Sequence, residues 1–116
     1  VEDLDKTEEN KALVTNFFND VLIGGQADKA TDYISPKQGD QFFQEFISSR
    51  METKYLKIHR IIGQGNFIVA YSHTQFDGDD YAILELFRVQ DGKIIEHWDV
   101  QEKILPKEKW GNSGKF

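Results

Sequence analysis

His97 and Asp99 stand two residues apart near the end of the chain, and Glu85 precedes them across a single tight break at Asp91-Gly92. Read as two strands joined at that break, the segment alternates faces, so His97 and Asp99 point the same way. An imidazole beside a carboxylate on one sheet face can transfer protons: one group takes the proton while the other orients it or balances the charge. Glu85 lies between Leu84 and Leu86 in an otherwise apolar run. An acid there is expected to be buried and to need a partner. It serves either as a hydrogen-bond donor when protonated or as the partner of His97. The plainer alternative makes His97 and Asp99 a satisfied polar pair at a sheet end or dimer contact. In that case Glu85 bridges to an exposed lysine.

The hairpin register decides which of these side chains share a surface. With a three-residue loop, Gln90-Asp91-Gly92, Glu85 lies opposite His97 and Ile83 opposite Asp99. Glu85, Phe87, His97 and Asp99 then line one surface. With a two-residue turn of the mirror-image type, His97 faces Leu86 and Asp99 faces Leu84. Asp-Gly suits both loops, and a slip of one residue moves a whole set of side chains to the other face.

Other polar candidates are weaker. His73 shares a strand face with Val69 and Tyr71, so Tyr71 and His73 are either cavity residues or solvated strand positions. His59, among Ile58 and Ile61-Ile62, reads as structural. Three scattered histidines lack ligand spacing, so no metal site is expected. Gly63-x-Gly65 precedes a strand and not a helix, which makes it a turn, not a phosphate cradle. Phe17, Phe18, Phe42, Phe43, Phe46 and Trp98 read as core, with enough aromatic excess for an apolar pocket.

The elements that must position these groups follow from the hydrophobic period. Val1–Lys6 is a polar lead-in, and Asp5-x-x-Glu8 has the form of a capping box. Leu13, Val14, Phe17, Phe18, Val21 and Leu22 recur at helical spacing up to Gly24-Gly25. Ala27–Ile34 makes a short second helix stopped by Pro36, and Gly39–Met51 a third. The period then changes to two. Lys54–Ile62, Phe67–Phe76, Tyr81–Val89 and Lys93–Glu102 read as strands separated by Gly63–Asn66, Asp77–Asp80 and Asp91-Gly92. Helices followed by an antiparallel meander mean an α+β fold, with helices on one face of a curved sheet.

The bulk numbers agree with one domain, residues 1–116, with 1–6 and 106–116 as tails. A chain of 116 residues, 39% hydrophobic and 13% aromatic, can bury a core but not two. A net charge of −6 argues against nucleic-acid and anionic-membrane partners, both of which need a cationic footprint. The absence of cysteine excludes disulfides and thiolate chemistry and fits a cytoplasmic protein. No apolar run approaches the roughly 20 residues needed to span a bilayer, and no signal-peptide core is present.

Three helices followed by four strands, with Leu86-Phe-Arg-x-x-x-Gly-Lys-Ile-x-Glu-His-Trp-Asp99, resemble the SnoaL-like polyketide cyclase group. That group belongs to the cystatin-like α+β cone superfamily, with nuclear transport factor 2 and ketosteroid isomerase. The resemblance covers most of Glu9–Phe116 and is most specific over Glu85–Asp99; Ile58-His59 and Gly63–Phe67 are also similar. It implies a cone-shaped sheet around a long N-terminal helix and two shorter ones. In ketosteroid isomerases the position matching Glu85 holds the oxyanion-hole acid facing the cavity, and the position matching His97 lines that cavity. By that analogy the three-residue loop is favoured.

The implied activity is a cofactor-free cyclase or isomerase acting on a small apolar carbonyl compound. Asp99 would be the base, His97 would orient it or stabilise charge, and Glu85 would hydrogen-bond the enolate. Phe17, Tyr71, His73 and Phe87 would contact the ligand. A homodimer through the sheet is the family habit. The same resemblance also admits a non-catalytic binder of small molecules, or a protein-interaction module using the outer sheet, as in nuclear transport factor 2.

The chain departs from the family between helices two and three. Tyr33-Ile-Ser-Pro36 runs straight into Lys37-Gln-Gly-Asp40, where relatives carry a longer segment like Tyr-Ile-Gln-His-Asn-Pro. The isomerase's general base would fall there, and no matching acid is found. Phe17 and Phe18 stand near the place of its helix 1 tyrosine. Either the loop is deleted, leaving a cavity with half its polar wall, or a mobile segment is missing from the sequence at Pro36-Lys37.

Overall fold

Alternating β-branched and aromatic residues in the second half of the chain build four strands. They are β1 (Lys54–Gln64), β2 (Phe67–Phe76), β3 (Asp79–Gln90) and β4 (Lys93–Lys103), in the order β1-β2-β3-β4 with antiparallel neighbours. The computed structural model describes residues 1–35, 45 and 47–116. The expected readings of Pro36, Phe42, Phe43 and Phe46, and of the passage after Pro36, lie outside those residues. The three hairpin turns each hold two residues, Gly65-Asn66, Asp77-Gly78 and Asp91-Gly92. Asp77, Gly78, Asp91 and Gly92 all have positive φ. That geometry matches the twist of the strands it joins.

The N-terminal helix differs in detail from the pattern. A 3-10 turn at Leu4–Lys6 leads into α1 (Thr7–Phe17), which continues as a π-helical turn, Phe18–Ile23. No side chain caps α1, so the Asp5-x-x-Glu8 box does not form; Thr7 Oγ1 instead donates to the Leu4 carbonyl at 2.9 Å. The widened winding turns the apolar stripe so that Phe17, Phe18, Val21 and Leu22 are all buried. The second helix is a 3-10 segment, Ala27–Asp32. Ile34 then forms a parallel bridge with Ile94. Of the third, Glu45 and 47–51 are helical, with Ile47 buried and Met51 exposed.

The concave sheet face and the helix share an aromatic core. Phe18 sits edge-on to Tyr55 at 5.6 Å and to Phe87 at 5.8 Å, and Phe17 to Phe87 at 6.3 Å. Each such pair adds about 0.5–1.5 kcal/mol beyond its area. A polar clip fixes the helix start against the first hairpin. Asn10 Nδ2 donates to the Gly65 carbonyl at 2.9 Å, Gly65 N–H to Thr7 Oγ1 at 2.8 Å, and Glu2 N–H to Asn66 Oδ1 at 2.8 Å.

Candidate functional site

The third hairpin contains both a two-residue turn and a bulge. Gln90 pairs with Lys93 and Val89 with Ile94, but Arg88 then pairs with Glu96, leaving Ile95 as an extra residue on β4. This corrects the three-residue loop expected above. Phe87 lies opposite His97 and Glu85 opposite Asp99. The extra residue lets Ile94 and Ile95 both go into the core. It also restores the parity that a two-residue turn alone would have lost, so Glu85, Phe87, His97 and Asp99 share the concave face.

Glu85 has no exposed surface and is held by several side chains. Tyr55 donates its hydroxyl to Oε1. His97 Nε2 lies 2.7 Å from Oε2, and Arg50 Nε lies 3.8 Å from the same oxygen. Arg50 also donates to Asp99 Oδ2, which lies 3.9 Å from His97 Nε2. The side chains grade outward from buried Glu85, through His97 at 7% exposure and Arg50 at 13%, to Asp99 at 37%. Burial, then the neighbouring Glu85 carboxylate, pushes the Tyr55 phenol well above its usual range. For Arg50 burial pulls downward, but Glu85, Tyr55 and Asp99 outweigh it and hold the guanidinium charged.

Position separates the two carboxylates. Glu85 Oε1 accepts from the Tyr55 hydroxyl and Oε2 pairs with the His97 ring, so both oxygens are engaged within the protein. Asp99 is the reachable carboxylate. It borders a half-open cleft of about 350 Å³ whose lining includes Arg50, Thr53, Phe76, Tyr81 and Gln101. Among the described residues lining that cleft, Arg50 is the single cation. Tyr55 and Arg50 are not among the residues singled out from the sequence. They lie 30 and 35 residues from Glu85 in the chain, and the one available signal is that a buried acid demands donors.

Two expected ligand contacts fall elsewhere. On β2, Ile68, Ala70, Ser72 and Thr74 are buried, so Tyr71 and His73 point to the opposite, outer face. There they meet the C-terminal segment. The Phe116 ring stacks on His59 at 4.0 Å and lies 5.2 Å from Tyr71 and 5.4 Å from His73. His73 Nε2 is 3.3 Å from Asp80 Oδ1. Phe17 and Phe87 are on the inner side but wholly buried, behind His97, whose ring lies 5.0 Å from that of Phe87.

The outer face also carries apolar rows. Ile62, Val69, Leu86 and Trp98 are successive cross-strand partners, and Tyr71, Leu84 and Val100 form the next row but one. Ile62, Leu84, Trp98 and Val100 are exposed. Among the described residues no three His, Asp or Glu side chains are grouped to hold a metal ion. No described helix is long and apolar enough to cross a membrane.

No family model and no curated protein matches the chain. Solved structures do. A proposed ketosteroid isomerase from Kribbella flavida superposes with a TM-score of 0.72 at 12% identity, covering 95% of this chain and 93% of that one. IdmH, a proposed polyketide cyclase from Streptomyces antibioticus, gives a TM-score of 0.62 at 14% identity, covering 80% of this chain and 91% of that one. A loop-truncated variant of IdmH gives 0.59 at 15% identity, covering 80% and 92%. The four-stranded curved sheet, the long first helix and the short ones after it thus make up an α+β cone fold shared with these solved structures.

Proposed function

We propose that the chain is a cofactor-independent acid–base enzyme of the cyclase or isomerase type, acting in the cytoplasm on a small carbonyl compound. The observation that carries this reading is the graded network itself. One partly exposed carboxylate, Asp99, stands at a cleft and is backed by His97, Arg50 and the buried Glu85–Tyr55 pair. Asp99 takes a proton from carbon next to the carbonyl, and His97 balances the local charge. Glu85 fixes His97 in place and does not donate to the substrate. Positioned bases of this kind contribute about 10²–10⁴-fold. The apolar rings of Phe17 and Phe87 back the site and keep water from its inner side. The fold neighbours, one a proposed cyclase and one a proposed isomerase, favour the same chemistry.

The test works with surrogate ketones in place of the natural substrate. The protein is incubated in D₂O with a panel of cyclic ketones and 1,3-diketones, and exchange at the α-carbon is followed by NMR. Wild type accelerates exchange of at least one member, and Asp99→Asn loses that acceleration while keeping its circular dichroism spectrum and melting temperature. Equal exchange by both proteins would remove Asp99 from the mechanism. A non-catalytic binder, the competing reading, shows no exchange but is stabilised thermally by a ketone in both forms.

We also infer a homodimer through the outer sheet. The exposed Ile62, Leu84, Trp98 and Val100 lie on cross-strand rows, and a contiguous apolar strip of that kind favours contact with a second copy.

A further inference from the structure

We propose that Arg50 receives the negative charge formed on the substrate oxygen, exchanging its Asp99 partner for an enolate. This rests on the reading of Asp99 as the base. In the resting site the guanidinium donates to Asp99 Oδ2 and lies beside Glu85. It is the one cation among the described residues that line the cleft. When Asp99 acts, a C–H bond next to the carbonyl breaks and an O–H bond forms on Asp99. The electron pair of the broken bond becomes the enolate double bond, and the carbonyl π pair moves onto the oxygen. The charge therefore leaves Asp99 and appears on the substrate oxygen a few bonds away. Arg50 keeps one mobile anion beside it throughout, so the step strands no unpaired charge in this half-buried place.

The electrostatics also restrict the substrate. Asp99, Glu52 and Glu85 stand in or behind the cleft against that single cation. An anion entering while Asp99 is ionised meets net repulsion, whereas a neutral ketone does not. The substrate class is therefore an uncharged, enolisable carbonyl compound, and Arg50 distinguishes its enolate from its ketone form. Lysine in this place would supply charge without the planar fork that reaches two oxygens at once.

The test is a binding measurement that does not depend on turnover. The probe is para-nitrophenolate, an enolate mimic, titrated above the pH of its own ionisation and followed by its absorbance. Asp99→Asn, which imitates the protonated base, binds it at least about tenfold more tightly than wild type does, because the competing carboxylate is gone. The double variant Arg50→Met/Asp99→Asn loses that gain, and Arg50→Lys/Asp99→Asn keeps part of it. Equal affinity in wild type and Asp99→Asn overturns the exchange of partners. Equal affinity in Asp99→Asn and the Met double variant overturns the role of Arg50. Should Arg50→Met not fold, the neutral methyl ether of the same phenol decides. Asp99→Asn prefers the phenolate to the ether by about tenfold if Arg50 takes the charge, and equal binding refutes it. Failed ketone exchange with the phenolate order intact sinks the catalytic reading, and the enolate role of Arg50 with it, leaving Arg50 as a group that binds oxyanions. Intact exchange without that order keeps the catalytic reading and overturns the role of Arg50.

Discussion

Replacing Tyr55 with phenylalanine removes one oxygen from the centre of the molecule and nothing else. The hydroxyl donates to Glu85 Oε1, and Glu85 is fully buried, so water cannot take over the lost bond. A buried hydrogen bond to a charged group is worth about 1.5–3 kcal/mol. For 116 residues at about 2.1 cal/mol/K each, the entropy of unfolding is about 0.24 kcal/mol/K, so the loss lowers Tm by about 6–12 °C. Differential scanning calorimetry at neutral pH reads this directly.

The same substitution has a pH signature. The folded-state pKa of the phenol is raised, by burial first and then by Glu85. Its contribution is therefore fully present below the unfolded value of about 10, and is lost as pH rises beyond that towards the folded value. Wild type loses stability above about pH 10 more steeply than Tyr55→Phe does, and the two Tm curves converge there. A neutral-pH difference under about 2 °C, or parallel alkaline limbs, would show that Glu85 does not depend on this phenol.

Glu85→Ala leaves Arg50 and His97 without their buried acceptor and destabilises by about 3–5 kcal/mol, read as a lower urea midpoint at unchanged m-value. Asp99→Asn, at a half-exposed position, changes Tm by less than about 3 °C while abolishing ketone exchange, which separates a chemical role from a structural one. Trp98→Glu, on the exposed outer row, turns the proposed dimer into a monomer by light scattering without changing the fold, and a wild type that is itself monomeric refutes the dimer. Gly92→Ala, at φ 75° in the last turn, costs about 1–2 kcal/mol, seen in thermal melts.

Four strands and their breaks were legible because period-two alternation and Asp-Gly pairs are local signals. The common facing of His97 and Asp99 followed from alternation, whereas that of Glu85 rested on analogy with ketosteroid isomerases and on a three-residue loop that does not form. The bulge at Ile95 comes from the core's demand for two consecutive isoleucines, and no single residue announces it. The facing of β2 was misleading for a physical reason. Its inward residues, Ala70, Ser72 and Thr74, are small, while Tyr71 and His73, which point outward, are the bulky ones. The π-helical turn carries no residue signature either. Tyr55 and Arg50 reach the site across long loops of chain, and contacts of that kind become visible only once the sheet is assembled.

The bulge has a consequence for tolerated change in this hairpin. Ile95 has no cross-strand partner, so deleting it would leave the pairs on either side as they are, with His97 and Asp99 on the same side of the sheet. A one-residue deletion at the bulge should therefore be tolerated, whereas an added residue must be taken up by the turn or the bulge if His97 and Asp99 are to keep their side of the sheet.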